Sequence, residues 1–541
     1  MKSRGAPFLS CVLILLCVSC EERSPRIASI SPRIGAMGDI VTIRGEGFGD
    51  EQDESYVTIA GFAPTASSYL EWQDDRISLR TPEFGESGLV YVYRGSLKSN
   101  AALYANQAAI PERVSGEEVG SGPRILSINP PAGAVGQMVT ILGANFGSSR
   151  EGSGVYFAWD AEASPSTPAE EQAPSWVEVF ETDFGYELWS EREIRLRVPD
   201  GAISGGVEVR TSRGKSRPEY FEVSGKPGTK IFKDKRSFAI SYSADIRVEE
   251  ASPPNTLYLW FPRPVSSASQ RKVELLSRTM EPFVENYRGT TLFKLKDLLP
   301  ASGTGITLSY IVEVYAIETD IRASQIREDR SAPVKQIYTQ ATSLIPSKDP
   351  VISAQAAAIV GREQNPYTKA RQLYRWLLSE ITIQEEPLNG GAPEALAEKK
   401  ADSYMAVLLF CALARAAGIP TLPVSGVLAG PYPVTRNHYW AEFWIEGLGW
   451  VPLDPALGAG AAPESFKLRA DRESYYFGNL DNQRIAFSRG EAALSQMDPQ
   501  GRVTIRDREY ALQNLWEEAV AGLESYSSLW SDVTINGIYV Q

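Results

Sequence analysis

The chain has 541 residues, 43% hydrophobic and 22% charged, with a formal net charge of −13. This length is too much for one hydrophobic core and predicts roughly three to five domains, and the composition excludes wholesale disorder. The acidic balance argues against a nucleic-acid partner and against adhesion to anionic membranes through basic patches.

In chain order, Lys2 and Arg4 precede the apolar run APFLSCVLILLCVS, which ends in Ser19 before Cys20. Residues 1–19 read as a secretory signal, too short for a stable spanning anchor. No later segment is apolar for the roughly 18 residues that a spanning helix needs. The end of the signal resembles a bacterial lipobox, departing from it at Cys17, where such signals usually carry Leu. The resemblance implies that Cys20 is diacylated and tethers the protein to a membrane in the bacterial cell envelope, on its periplasmic or surface side. The alternative is a plain cleaved signal with a Cys nearby. Cys11, Cys17 and Cys20 fall in or at the end of this segment, so only Cys411 remains in the body. That leaves no internal disulfide framework and no Cys-based metal site. A single His, His438, excludes a multi-histidine zinc site, and no metal or cofactor is expected.

A repeat follows. IASISPRIGAMGDIVTIRGEGFG (27–49) recurs as ILSINPPAGAVGQMVTILGANFG (125–147), offset by 98 residues without a gap. Gly45/Gly143 and Phe48/Phe146 are among the shared positions. Each copy reads as strand, Pro/Gly turn, alternating strand and Gly-rich bend, and further strands follow in each. The spacing predicts two β-sandwiches, over residues 20–107 and 121–224, joined by a polar linker. The pattern resembles the IPT/TIG immunoglobulin-like domain, which implies a spacer or binding role and no chemistry. The acidic GDEQDE at 49–54 reads as a solvated loop.

Residues 228–340 read as a further β-rich domain, because SFAISYSADIRV, TLYLWFP and ITLSYIVEVYAI alternate apolar and polar residues. From 341 to 465 the period changes. NPYTKARQLYRWLLSEI sets Ala370, Leu373, Trp376, Leu377 and Ile381 on one helical stripe, with Thr368 available as N-cap. SYMAVLLFCALARAAGIP is a second helix, more uniformly apolar, stopped by Gly418 and Pro420. Strands TLPVSGVLAG, HYWAEFWIEG and LGWVPLDP follow, which makes this an α+β domain. The tail, 466–541, contains LQNLWEEAVAGLESYSSLW and reads as a helix packing on the core.

In HYWAEFWIEGLGWVPLD, alternation puts His438, Trp440, Glu442 and Trp444 on one strand face. A turn centred near Glu446 pairs residues whose numbers sum to 892, so His438 and Asp454 become opposed or diagonal neighbours. A carboxylate beside an imidazole fixes its tautomer and stabilises the imidazolium, as a general base needs. A His packed among aromatics, with an Asp ending the hairpin, satisfies the same spacing.

These blocks and the preceding helix resemble the core of the transglutaminase-like superfamily, over about 345–460. The resemblance implies a papain-like arrangement: a nucleophilic Cys at a helix N-terminus, and a His and an Asp on the strands that follow. The family includes transglutaminases, proteases, amidases and non-catalytic members. Its motif sets the Cys twelve residues before the Arg of R-A-A-G-I-P. With Arg415 in that place, the nucleophile position holds Ser403, and the family His and Asp fall on His438 and Asp454.

A helix N-terminus favours an anionic nucleophile, and Ser403 stands there; it is equally suited, with Asp402, to capping the helix. Cys411 lies eight residues deeper in an apolar helix and reads as a small buried hydrophobe. A hydroxyl is far less acidic than a thiol and needs concerted base removal and an oxyanion hole. Two readings follow. In the first, a non-catalytic cleft binds peptide, protein or cell-wall ligands. In the second, a hydrolase or acyltransferase of amide bonds uses Ser403, His438 and Asp454.

Overall fold

The computed structural model describes residues 24–36, 38–52, 55–81, 88–106, 122–150, 153–160, 175–179, 185–326, 333–430, 433, 435–464 and 466–540. Cys20 and the signal segment lie outside the described residues. Among the described residues, no helix is long and apolar enough to cross a membrane.

The first repeat folds as two facing sheets. Arg26–Ser31, Ile40–Glu46, Arg76–Arg80 and Tyr69–Gln73 form one, and the other includes Tyr56–Ile59 and Gly88–Arg94. The second repeat builds the same sandwich from Arg124–Asn129 to Glu219–Val223. The repeat's shared residues are its packing devices. Phe48 and Phe146 are fully buried, each in its sandwich core. A Cβ on Gly45 would lie 1.9 Å from the Arg26 carbonyl, and one on Gly143 2.2 Å from that of Arg124, so neither strand crossing admits a side chain.

The third unit is a β-sandwich built around two long antiparallel strands, β1 (Gly228–Ala251) and β2 (Gly303–Ile321). Four strands close to the C-terminus complete it: β7 (Arg502–Arg506), β8 (Leu515–Ala519), β9 (Leu523–Trp530) and β10 (Thr534–Val540). β9 and β10 pair with β1, while β8 pairs with Thr256–Pro262 in the facing sheet. This corrects the expected C-terminal helix. LWEEA favours helix by composition, yet β8 is flanked by partner strands on both sides, and tertiary pairing overrides propensity. Its Glu517 is buried in strand geometry, where Oε1 accepts from Trp530 Nε1 and Ser528 Oγ at 2.6 Å each.

Between β2 and β7 lies the α+β unit. The helices Pro350–Val360, Pro366–Glu380 and Ala392–Glu398 pack around the central helix α1 (Ser403–Ala416), which is buried continuously from Met405 to Arg415. Asn365, not Thr368, caps Pro366–Glu380, and Tyr374 joins its buried stripe. The sheet beside α1 runs in the order β5 (Gly449–Leu453), β4 (Thr435–Ile445), β3 (Thr421–Ala429), β6 (Arg484–Arg489), all antiparallel.

The second sandwich sits directly on this unit. Val135 bridges to Gly447 in the β4–β5 turn, and Trp440, Trp444 and Trp450 share one core cluster with the sandwich interior. This sandwich is packed against the hairpin that carries His438.

Candidate functional site

Asp402 caps α1: its Oδ1 accepts from the Met405 amide at 2.9 Å. Ser403 is therefore the first helical residue, half-buried, and its hydroxyl is not used for capping. Among the described residues, that hydroxyl has no hydrogen-bond partner. At the other end of α1, Arg415 holds the R-A-A-G-I-P turn through Nε and Nη2 to the Thr421 carbonyl (3.2 and 2.9 Å) and Nη1 to that of Gln340 (2.9 Å). Cys411 is fully buried, and burial pushes its thiol up to about 12 despite the nearby Arg415 charge. It is unsuited to forming a thiolate.

The structure brings His438 and Asp454 together. Nε2 of His438 lies 2.8 Å from Oδ2 of Asp454, with the two residues 4% and 0% exposed. The hairpin register differs from expectation by one step. Ala441 pairs with Leu453 and Ile445 with Gly449, so paired numbers sum to 894 and the turn centres on Gly447 at φ +80°. A shift of two in the sum preserves face parity. Asp454 therefore still shares a face with His438, as its diagonal neighbour beyond the end of β5.

The carboxylate has two further tasks. Its Oδ1 caps the short helix α2 (Pro455–Ala459) by accepting from Leu457, 3.0 Å away. Its Oδ2 also accepts from Arg484 Nη1 at 2.9 Å, while Arg484 Nη2 reaches Asp481 at 2.6 Å. Burial alone would raise the Asp454 carboxyl; the charges and hydrogen bonds of His438 and Arg484 overcome that and hold it at about 2. Arg484 also lies 5.0 Å over the Trp440 ring, which in turn is nearly parallel to His438 at 6.4 Å. Sequence reasoning missed Arg484; the signal was the alternation in RIAFSR, which turns Arg484 and Ala486 to one face.

With Nε2 engaged by a carboxylate, Nδ1 is the ring nitrogen left to take a proton. Its geometry relative to Ser403 is the deciding feature. Tyr404 and Tyr439, the next residue in each case, meet edge-to-face at 5.0 Å, which sets the tip of α1 beside the His438 segment of β4. Tyr439, Ala441, Phe443 and Ile445 pack with α1, whereas Trp440 and Trp444 pack with the second sandwich. Among the described residues, no hydrogen bond joins Ser403 to His438.

The sequence model of the transglutaminase-like superfamily matches residues 353–455, a span that contains all three positions, and that of the IPT/TIG domain matches 25–105 and 123–161. An uncharacterised Haemophilus influenzae protein is 24% identical over 303 residues, which is 47% of this chain and 79% of that protein. Among solved structures, one from Cytophaga hutchinsonii assigned as a cysteine protease aligns with a TM-score of 0.35 at 15% identity, covering 58% of this chain and 92% of that one. The periplasmic domain of TgpA from Pseudomonas aeruginosa aligns with a TM-score of 0.25 at 16% identity, covering 41% of this chain and 91% of that one.

Proposed function

We propose that this chain, which carries a transglutaminase-like domain and IPT/TIG domains, is an extracytoplasmic binding protein with a catalytically silent papain-like cleft. A lipid on Cys20 would tether it to the membrane, and the cleft would hold peptide, protein or cell-wall fragments without cleaving them. The observation that carries the reading is the 4% exposed imidazole, bound to Asp454 and not to Ser403. A hydroxyl gains nucleophilicity only through a base in contact with it, and that contact is missing.

A second reading keeps one observation in its favour. Because Asp402 does the capping, the Ser403 hydroxyl stands unused at the tip of α1 beside an intact His–Asp pair. On that reading the protein is a hydrolase or acyltransferase of amide bonds. It would form an acyl-Ser403 intermediate, with His438 as base and Asp454 as orienting group.

A fluorophosphonate probe separates them. The full chain is expected to remain unlabelled under conditions that label a serine hydrolase to completion. Labelling that is lost in both Ser403→Ala and His438→Ala would overturn the silent-cleft reading.

A further inference from the structure

The loop joining β7 to β8, residues 507–514, reaches out of the β-sandwich and touches both halves of the candidate site. Arg508 pairs with Asp402, and its guanidinium lies 4.5 Å over the Tyr404 ring. These two residues flank Ser403. The next residue, Glu509, does the same on the strand side: its carbonyl accepts from the Tyr439 hydroxyl at 2.6 Å, and its carboxylate accepts from Asn437 Nδ2 at 3.1 Å. Those two residues flank His438. One dipeptide thus grips the neighbours of both positions.

The loop is itself fixed to the sheet. Ser425 Oγ donates to the Tyr510 carbonyl at 3.3 Å, and the Leu512 amide donates to Ser488 Oγ at 2.6 Å. Arg508 adopts φ +63°, a left-handed conformation that a non-glycine residue holds only where its surroundings impose it. Asp402 is tied down independently, by the Leu388 amide at 2.9 Å. The charged groups facing Tyr404 here are Arg508, Asp507, Asp402 and Glu491.

We infer that Arg508 and Glu509 are positioning residues of the site: the β7–β8 loop sets the tip of α1 against the His438 segment of β4. The inference rests on the reading of Ser403 as the nucleophile position. It goes beyond the transglutaminase-like core, because the loop comes from some fifty residues further along the chain, in the β-sandwich.

The test uses a reporter that needs no activity. Ser403→Cys is placed in the full chain, and the alkylation rate of the introduced thiol by iodoacetamide is followed against pH by peptide mass. A thiol at a helix N-terminus, near a His and an Arg, titrates below the ordinary value of about 8.5. Adding Arg508→Ala is expected to raise the midpoint by about one pH unit. Tyr439→Phe, which releases the strand end of the clamp, is expected to shift it in the same direction.

His438→Ala is expected to raise the midpoint too, and its effect is expected to shrink in the Arg508→Ala background, because a mispositioned imidazole has less to lose. Strictly additive effects of His438→Ala and Arg508→Ala, or full rescue by Arg508→Lys, would reduce Arg508 to a local charge and overturn the inference. So would a midpoint unmoved by Arg508→Ala while His438→Ala shifts it. A midpoint moved by Arg508→Ala and untouched by His438→Ala would instead sink the reading of Ser403 and His438 as one site, and the clamp with it.

Discussion

Asp454→Ala is expected to lower the unfolding free energy by about 3–5 kcal/mol, the range for removing one member of a buried ion pair. The carboxylate is fully buried and serves three partners: His438 at 2.8 Å, Arg484 at 2.9 Å and the Leu457 amide at 3.0 Å. Its loss leaves a guanidinium 3% exposed with only Asp481 as counter-charge, and uncaps α2. Asp454→Asn keeps an oxygen for the cap and is expected to cost less. Urea unfolding followed by tryptophan fluorescence reads both variants; equal stability of wild type and Asp454→Ala would show that the pair is offset elsewhere.

The same residue predicts an acid limit. The folded carboxyl is held at about 2, below its ordinary value of 3.8. A depressed carboxyl contributes stability that is fully present above the unfolded value and is lost as pH falls from about 4 through about 2. A tenfold change in proton affinity is worth about 1.4 kcal/mol, so a carboxyl wholly out of solvent and held this low contributes about 2–3 kcal/mol. Stability measured from pH 5 to pH 2 is expected to fall less steeply in Asp454→Asn than in wild type, and parallel curves would count against the assignment.

The parts of the chain that were legible in sequence are those whose reasons are local. The repeated Gly45/Gly143 and Phe48/Phe146 reported two copies of one sandwich, since a glycine forced by a strand crossing and a fully buried ring leave marks at fixed offsets. The His438–Asp454 pairing survived an error in the turn centre because face parity depends only on whether the sum of paired numbers is even. What failed was non-local. LWEEA reads as helix until Thr256–Pro262 and β7 supply strands on either side, and those partners lie about 260 residues upstream and about ten upstream. Arg484 and Arg508 were invisible for the same reason: each acquires its meaning from a carboxylate it meets only in the folded chain, Asp454 in one case and Asp402 in the other.

Lys230→Met is the second substitution with a large expected effect, again about 3–5 kcal/mol on the coupled unit. Lys230, at the start of β1, donates to both oxygens of Asp200 in the second sandwich (2.7 and 2.9 Å) and to the Trp450 carbonyl (2.5 Å). Asp200 also accepts from the Trp450 amide at 3.2 Å, and the pair is 5% and 9% exposed. Gly449 permits this approach, because a Cβ there would stand 2.4 Å from Asp200 Oδ1. The sandwich, the start of β1 and the β4–β5 hairpin are therefore joined through one buried charge pair, at the opposite end of β4 from His438. With the lysine removed, Asp200 stays buried without its counter-charge, and the least costly relief is to lift the sandwich off the hairpin. Limited proteolysis is expected to show faster cleavage in the connection at residues 224–227, and urea unfolding is expected to split into separate transitions. If the sandwich were only a spacer, the transglutaminase-like domain would unfold at the same denaturant concentration in Lys230→Met as in wild type, and cleavage of that connection would not change.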